Sequence, residues 1–175
     1  MPNKTALVTG ASDGIGAEFI DILASRKYDL ILVARREDKL NQLAAKLSSQ
    51  FGVQCTVIAA DLSEPNAAQD IFHRIDEKGL QVDFLLNNAG LLHNGFFTEL
   101  GIAEQERMIT VNVLALTTLT HLYAANMASR DGGHILNVAS LAGWMAIPNQ
   151  NVYAASKAYV LAFTQALSNE MVAAG

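Results

Sequence analysis

A phenol and an amine stand four residues apart in Asn151-Val-Tyr153-Ala-Ala-Ser-Lys157-Ala-Tyr159, and this pair is the chain's best provision for acid–base chemistry. Residues at i and i+4 of a helix share a face, so a helix here brings the Lys157 ammonium close to the Tyr153 phenol. A phenol hardly ionises at neutral pH, and a neighbouring cation stabilises the phenolate, which turns Tyr153 into a usable acid and base. Upstream, Ser140 ends a strand-like run and can donate a hydrogen bond to a carbonyl oxygen at the same edge. Taken alone, Tyr153 is as readily an amphipathic core residue, and its position after Ser140 is what favours chemistry. Ser156 and Tyr159 are read as neighbours without a chemical role, Tyr159 packing on Phe163 one turn on.

The elements that must carry these groups alternate strictly. β-branched and apolar runs predict strands at Thr5–Thr9, Asp29–Val33, Gln54–Ala60, Asp83–Asn87 and His134–Ala139. Helical patterns fill the gaps at Gly14–Arg26, Glu37–Gln50, Glu64–Lys78, Ile102–Ser129 and Asn151–Ala174, with Ser63 as N-cap and Pro65 in the first turn of the third. Such alternation with short connections predicts an α/β fold, a doubly wound parallel sheet with helices on both faces, whose ligands bind at the carboxyl ends of the strands.

The first strand runs into Thr9-Gly10-Ala11-Ser12-Asp13-Gly14-Ile15-Gly16 as a helix begins. Gly10 suits a tight turn, Gly14 a close approach of backbone to a pyrophosphate, and Gly16 close packing of helix on strand, while the helix N-terminus offers free N–H groups to anionic oxygens. The spacing differs from the commoner dinucleotide fingerprint, and an ordinary glycine turn is the alternative. An acidic residue at the end of the second strand would bind a ribose 2′-hydroxyl; Ala34-Arg35-Arg36 stands there instead. Two arginines suit a 2′-phosphate, so NADP(H) is expected in preference to NAD(H), mainly through Arg35, against the alternative of a solvated pair. Asp29 opens its strand and is read as structural. Asp61, with Leu62 beside it, can accept from an adenine amino group or simply form an Asx turn to Ser63. Asn87 and Asn88, before Ala89 and Gly90, lie where a cofactor would cross the sheet, or only form a turn. Trp144 and Met145 follow the fifth strand as substrate contacts, or as core or subunit packing. Asn112, polar within an apolar helix, is a kink, a satisfied core amide or a functional group.

In this order, Thr9-Gly10 through Gly14-Ile15-Gly16, Asn87-Asn88-Ala89-Gly90, Asn112, Ser140 and Tyr153 with Lys157 resemble the short-chain dehydrogenase/reductase family across essentially the whole chain. The stretch from Gly90 to Met171 is similar to a broad bacterial reductase branch of unassigned substrate. The resemblance implies a Rossmann-like domain and an oxidoreductase that interconverts a carbonyl (aldehyde or ketone) and an alcohol. Tyr153 would serve as general acid, Ser140 would orient the carbonyl, Lys157 would hold the nicotinamide ribose and favour the phenolate, and Asn112 would complete a proton relay through water. The cofactor set it implies comprises Gly10, Ser12, Asp13, Gly14, Ile15, Gly16, Arg35, Arg36, Asp61, Leu62, Asn88, Ala89 and Gly90 with Tyr153 and Lys157, and the substrate set Ser140, Trp144 and Tyr153.

Family members ordinarily continue with further strands and a substrate lid, so residues 1–175 are expected to form one domain that lacks them and has an open sheet edge. A catalytically silent NADP(H)-binding or interaction protein is the alternative function, although intact Ser140, Tyr153 and Lys157 would serve no purpose in it. Extra apolar residues on the last two helices, including Leu114, Leu116, Leu119, Val160, Leu161 and Phe163, together with the family's habit, predict a homodimer or homotetramer.

Composition agrees with a small-molecule partner. Apolar residues make up 51% and charged residues 17% of 175, and the net charge is −5 without a basic run, which disfavours nucleic acid. Apolar stretches such as Val111–Leu119 fall short of a bilayer span, so no membrane segment is expected. The first residues do not read as a signal peptide, which makes a cytoplasmic location the expectation. The one cysteine, Cys55, is expected to be buried and unreactive, and the four scattered histidines predict no metal site.

Overall fold

A computed structural model describes residues 3–130 and 132–173. Five parallel strands, β1 (Thr5–Thr9), β2 (Asp29–Ala34), β3 (Cys55–Ala59), β4 (Phe84–Asn87) and β5 (His134–Asn137), form one sheet in the order β3-β2-β1-β4-β5. The chain winds outward from β1 to β3, then returns past β1 to lay down β4 and β5. Loops after β1 and β4 therefore diverge at the carboxyl edge and leave a crevice at the switch point.

Alternation along each strand feeds both faces. Ala6 and Val8 join Leu30 and Leu32 beneath α1 (Gly14–Ser25) and α2 (Glu37–Phe51), in a core with Ile20, Leu40 and Leu47. Leu7, Ile31, Val33 and Leu85 point the other way, onto Ile71 and Ile75 of α3 (Ala67–Asp76) and Leu119 and Tyr123 of α5 (Leu116–Ala128). A sheet covered on both faces accounts for strands that read as nearly continuous apolar runs.

Several boundaries depart from expectation. Helix α3 begins at Ala67, not Glu64, and Ser63 is not its N-cap: the Ser63 N–H and hydroxyl both donate to Asp61 Oδ1, at 2.9 and 2.7 Å, and Asn66 then takes a left-handed conformation (φ 61°). The helix expected over Ile102–Ser129 is α4 (Ile102–Ile109) and α5 joined by a wider π-helical stretch, Thr110–Ala115. Strand β5 stops at Asn137, and Ala174 lies outside the described residues, so the last helix α6 is Asn151–Ala173.

The run Ile102–Ala128, 27 residues, has the length and apolarity of a membrane span, which its shorter apolar stretches did not suggest. Half of its apolar window is buried, with Val111, Ala115, Leu119 and Tyr123 packed on the sheet, so it serves here as a core helix. Of the residues expected at a subunit interface, Leu116, Leu119 and Val160 are buried within the chain and Leu114 is exposed. Cys55 is half-buried, not fully buried, because β3 is an edge strand; burial still pushes its thiol up, with a Ser48 hydrogen bond opposing.

Candidate active site

A cleft of about 260 Å³ opens at the switch point between the loops after β1, β2, β3 and β4. Gly10, Ser12, Asp13, Arg35, Arg36, Asp61, Leu62, Asn88, Ala89 and Gly90 all line it, so most of the expected cofactor set converges from four separate stretches of chain. Asp29 sits at the opposite edge, where its Oδ1 accepts from the Gln54 N–H at 2.8 Å.

Close packing requires the glycines of the first turn. Gly10 has φ +65°, and a Cβ on it would lie 2.8 Å from Asn88 Nδ2; one on Gly16 would meet the same nitrogen at 2.5 Å and crowd the Gly10 carbonyl. Asn88 is the knot: its Nδ2 donates to the carbonyls of Thr9 (3.1 Å) and Gly10 (3.2 Å), and its N–H donates to Thr9 Oγ1. Gly14, also at positive φ, faces open space. No side chain caps α1 and no acid lies in its first turn, so its N-terminal N–H groups stay available to an anion. Ile15 is exposed and does not line the cleft. Asn87, in contrast, is buried and donates to Thr120 Oγ1 and Asn137 Oδ1 below the edge.

The charged rim is partly self-paired. Arg36 and Lys39 both bind Asp13, whereas Arg35 enters no ion pair among the described residues. Asp61 forms the Asx turn and also faces Arg107 at 3.5 Å. Burial pushes its carboxyl up, but the two Ser63 hydrogen bonds, with Arg35 and Arg107 nearby, outweigh that and hold it below its ordinary value.

At the other end of the cleft Gly90 meets the reactive group. A Cβ there would lie 3.4 Å from Asn112 Oδ1 and 3.6 Å from Lys157 Nζ. Lys157, only 4% exposed, donates to the Val138 carbonyl at 2.7 Å, and its Nζ lies 5.9 Å from the centre of the Tyr153 ring, within range of a cation–π contact. Burial pushes the ammonium below its ordinary value. Asn112, in the π-helical stretch, clamps the chain after Gly90: its Oδ1 accepts from the Leu91 N–H (2.8 Å) and its Nδ2 donates to the Leu91 carbonyl (2.9 Å) and Ser156 Oγ (3.0 Å). Ser156 donates to the Tyr153 carbonyl at 2.7 Å, so a residue read as idle ties Asn112 to the turn carrying the phenol.

Ser140 follows β5 and caps the short 3-10 turn Leu141–Gly143, accepting from the Ala142 N–H at 3.2 Å, which leaves its own hydrogen to donate. Trp144, 70% exposed, lines a separate apolar groove with Met145 and with Ala154, Ala155 and Ala158, which lie on a face of α6 turned away from Tyr153 and Lys157. Tyr159 stacks on Phe163 and bonds Thr117 Oγ1. Sequence reasoning missed Lys39, Arg107 and the Val138 carbonyl: each acts through a partner distant in the chain, and nothing local marks it. Among the described residues no three His, Cys, Asp or Glu side chains cluster as metal ligands.

A parallel doubly wound sheet with a glycine turn at its switch point, and a tyrosine–lysine helix beside it, defines a Rossmann-like α/β protein. The sequence pattern of the short chain dehydrogenase family matches residues 4–175, and the chain belongs to that family. It is 35% identical over 176 aligned positions to a very-long-chain 3-oxoacyl-CoA reductase of Anas platyrhynchos, covering 97% of this chain and 55% of that protein. Its structure is similar to a bulky-bulky ketone specific alcohol dehydrogenase from Comamonas testosteroni (TM-score 0.94, 33% identity, 100% of this chain and 70% of the other). It is also similar to a short-chain dehydrogenase from Sphingobium yanoikuyae solved with NADPH (TM-score 0.93, 37% identity, 98% and 67%). The chain spans about half the length of the Anas platyrhynchos reductase and of its counterparts in Mus musculus and Bos taurus, 55% in each case.

Proposed function

We propose that the protein is a nicotinamide-dependent oxidoreductase that interconverts an aldehyde or ketone and an alcohol, with NADP(H) preferred. The observation that carries this reading is Gly90, where the switch-point crevice and the buried Lys157 meet within one side chain's reach. The relative solved with NADPH supports the class of cofactor. The cradle fits one: the backbone at Gly10 and Gly14 and the uncapped start of α1 suit a pyrophosphate, Arg35, without an ion pair among the described residues, suits a 2′-phosphate, and Asp61 and Leu62 line the part of the cleft where an adenine would lie. A nicotinamide, when bound, supplies or accepts the hydride.

The chain's own groups handle the proton. In reduction Ser140 Oγ–H donates to the substrate oxygen and polarises the carbonyl, and the Tyr153 hydroxyl delivers its proton to that oxygen. Lys157 Nζ stabilises the phenolate left behind and would hold a ribose hydroxyl of the bound cofactor. Asn112 clamps the Leu91 backbone and so holds the Gly90 turn beside Lys157, and it would complete a proton relay through water.

The test is a fluorescence titration with NADPH and NADH, followed by turnover with a panel of ketones. NADPH is expected to bind more tightly, and Tyr153→Phe to abolish turnover while sparing NADPH binding. Turnover surviving in Tyr153→Phe would refute the mechanism. We further infer self-association through the exposed Leu114 face of the π-helical stretch; a monomeric mass by light scattering at micromolar concentration would overturn it.

A further inference from the structure

The glycine turn carries a carboxylate where an anion-binding loop has least use for one. Asp13 is the N-cap residue of α1, with extended backbone (φ −155°, ψ 165°), yet its side chain makes no capping hydrogen bond. An aspartate at this position ordinarily accepts from an N–H of the first helical turn, favoured by the helix dipole. Here its oxygens turn instead toward the start of α2, where Oδ2 accepts from Nη2 of Arg36, the residue before the helix, and Oδ1 from Nζ of Lys39 in its first turn. Ser12 completes the cluster, donating to Asp13 Oδ2 at 2.8 Å and lying 3.4 Å from Arg36 Nη2. Ser12, Asp13 and Arg36 all line the cleft, beside the unpaired Arg35.

We propose that Asp13 determines cofactor specificity by occupying Arg36 and Lys39, the two cations a ribose 2′-phosphate would draw on beside Arg35. This rests on the reading of the cleft as a dinucleotide site. A phosphate monoester carries more charge than a carboxylate and three acceptor oxygens, so it can displace Asp13, but it must break both ion pairs to do so. A dinucleotide with a free 2′-hydroxyl leaves them intact. Asp13 therefore narrows the advantage of the phosphorylated cofactor. The carboxylate's charge also repels the pyrophosphate of either dinucleotide, an effect that cancels in the ratio of the two affinities. Exposed pairs are individually weak, so removing the carboxylate is worth a factor of about three to ten in that ratio.

Calorimetric titration tests this with NADPH and NADH, and with adenosine 2′,5′-bisphosphate against 5′-AMP, which report the same subsite without any turnover. Asp13→Asn and Asp13→Ser are each expected to raise the preference for the 2′-phosphorylated ligand of both pairs about three- to tenfold. The gain should shrink when Arg36→Leu is added. An unchanged or reduced preference in both Asp13 variants overturns the proposal while leaving the cofactor reading intact, and so does a gain that persists in full without Arg36. If the unaltered protein, folded by circular dichroism, binds neither dinucleotide, the cofactor reading and this proposal fall together.

Discussion

Replacing Lys157 with Met separates what the site needs from what the fold prefers. The ammonium is 4% exposed, has one hydrogen bond, to the Val138 carbonyl at 2.7 Å, and no carboxylate partner among the described residues. Burying an ion without a counter-charge costs several kcal/mol, and the bond from a charged donor returns about 1.5–3 kcal/mol. Met keeps the length and apolar stem of lysine and removes the charge, leaving one carbonyl lone pair unpaired. At pH 7 Lys157→Met should therefore gain about 1–2 kcal/mol of stability, a rise in Tm of about 2–8 °C, and lose turnover. The gain must depend on pH in one direction. Because burial lowers the pKa of Lys157, the unfolded chain takes up this proton at a higher pH than the folded one. The native protein thus pays the full penalty below the lowered value, and the penalty fades as pH rises toward the ordinary lysine value of about 10.4. Urea denaturation of both proteins at pH 7 and pH 10 reads the effect: the difference should be large at pH 7 and small at pH 10. A variant less stable than the parent by more than about 1 kcal/mol at pH 7 would show that the ammonium is a net stabiliser, and the reasoning fails.

Gly16→Ala puts a methyl group 2.5 Å from Asn88 Nδ2 and against the Gly10 carbonyl, so it should lose about 1–3 kcal/mol in urea denaturation and NADPH binding by fluorescence. Gly14→Ala meets open space but has the strain of positive φ, and its loss of stability should be about 1 kcal/mol, smaller than at Gly16. Asn112→Ala removes three hydrogen bonds from a fully buried side chain and strands the Leu91 N–H; a loss of about 2–4 kcal/mol is expected in the same assay, with NADPH affinity falling as the Gly90 turn loosens.

Helix α3 illustrates where sequence reading stops. Ser63 and Pro65 read as a helix start, but the Ser63 N–H and hydroxyl donate to Asp61 Oδ1 in a turn and the helix begins only at Ala67. Both outcomes satisfy local rules, and a pattern reading cannot rank them. The π-helical stretch is similar: Thr110–Ala115 scans as ordinary helix, and widening at this place accompanies the Asn112 clamp on Leu91, on the far side of α4 in the chain. Trp144 is a third case: its neighbourhood in sequence leads to Tyr153, while in space it lines a groove with Ala154, Ala155 and Ala158 of α6.

The alternation of strands and helices, the glycine turn and the tyrosine–lysine pair were legible because each is written within a few residues, in side-chain periodicity, backbone freedom and the helical i to i+4 step. Convergence was not. Gly90 reaches Lys157 and Asn112 only because β4 crosses back past β1 and β5 then delivers the Val138 carbonyl beneath α6. Likewise, Arg35 and Arg36 are adjacent and chemically alike, yet one is open and the other held by Asp13. Which of two equivalent cations is free depends on the distance to a carboxylate across a turn, and only the folded chain sets that distance.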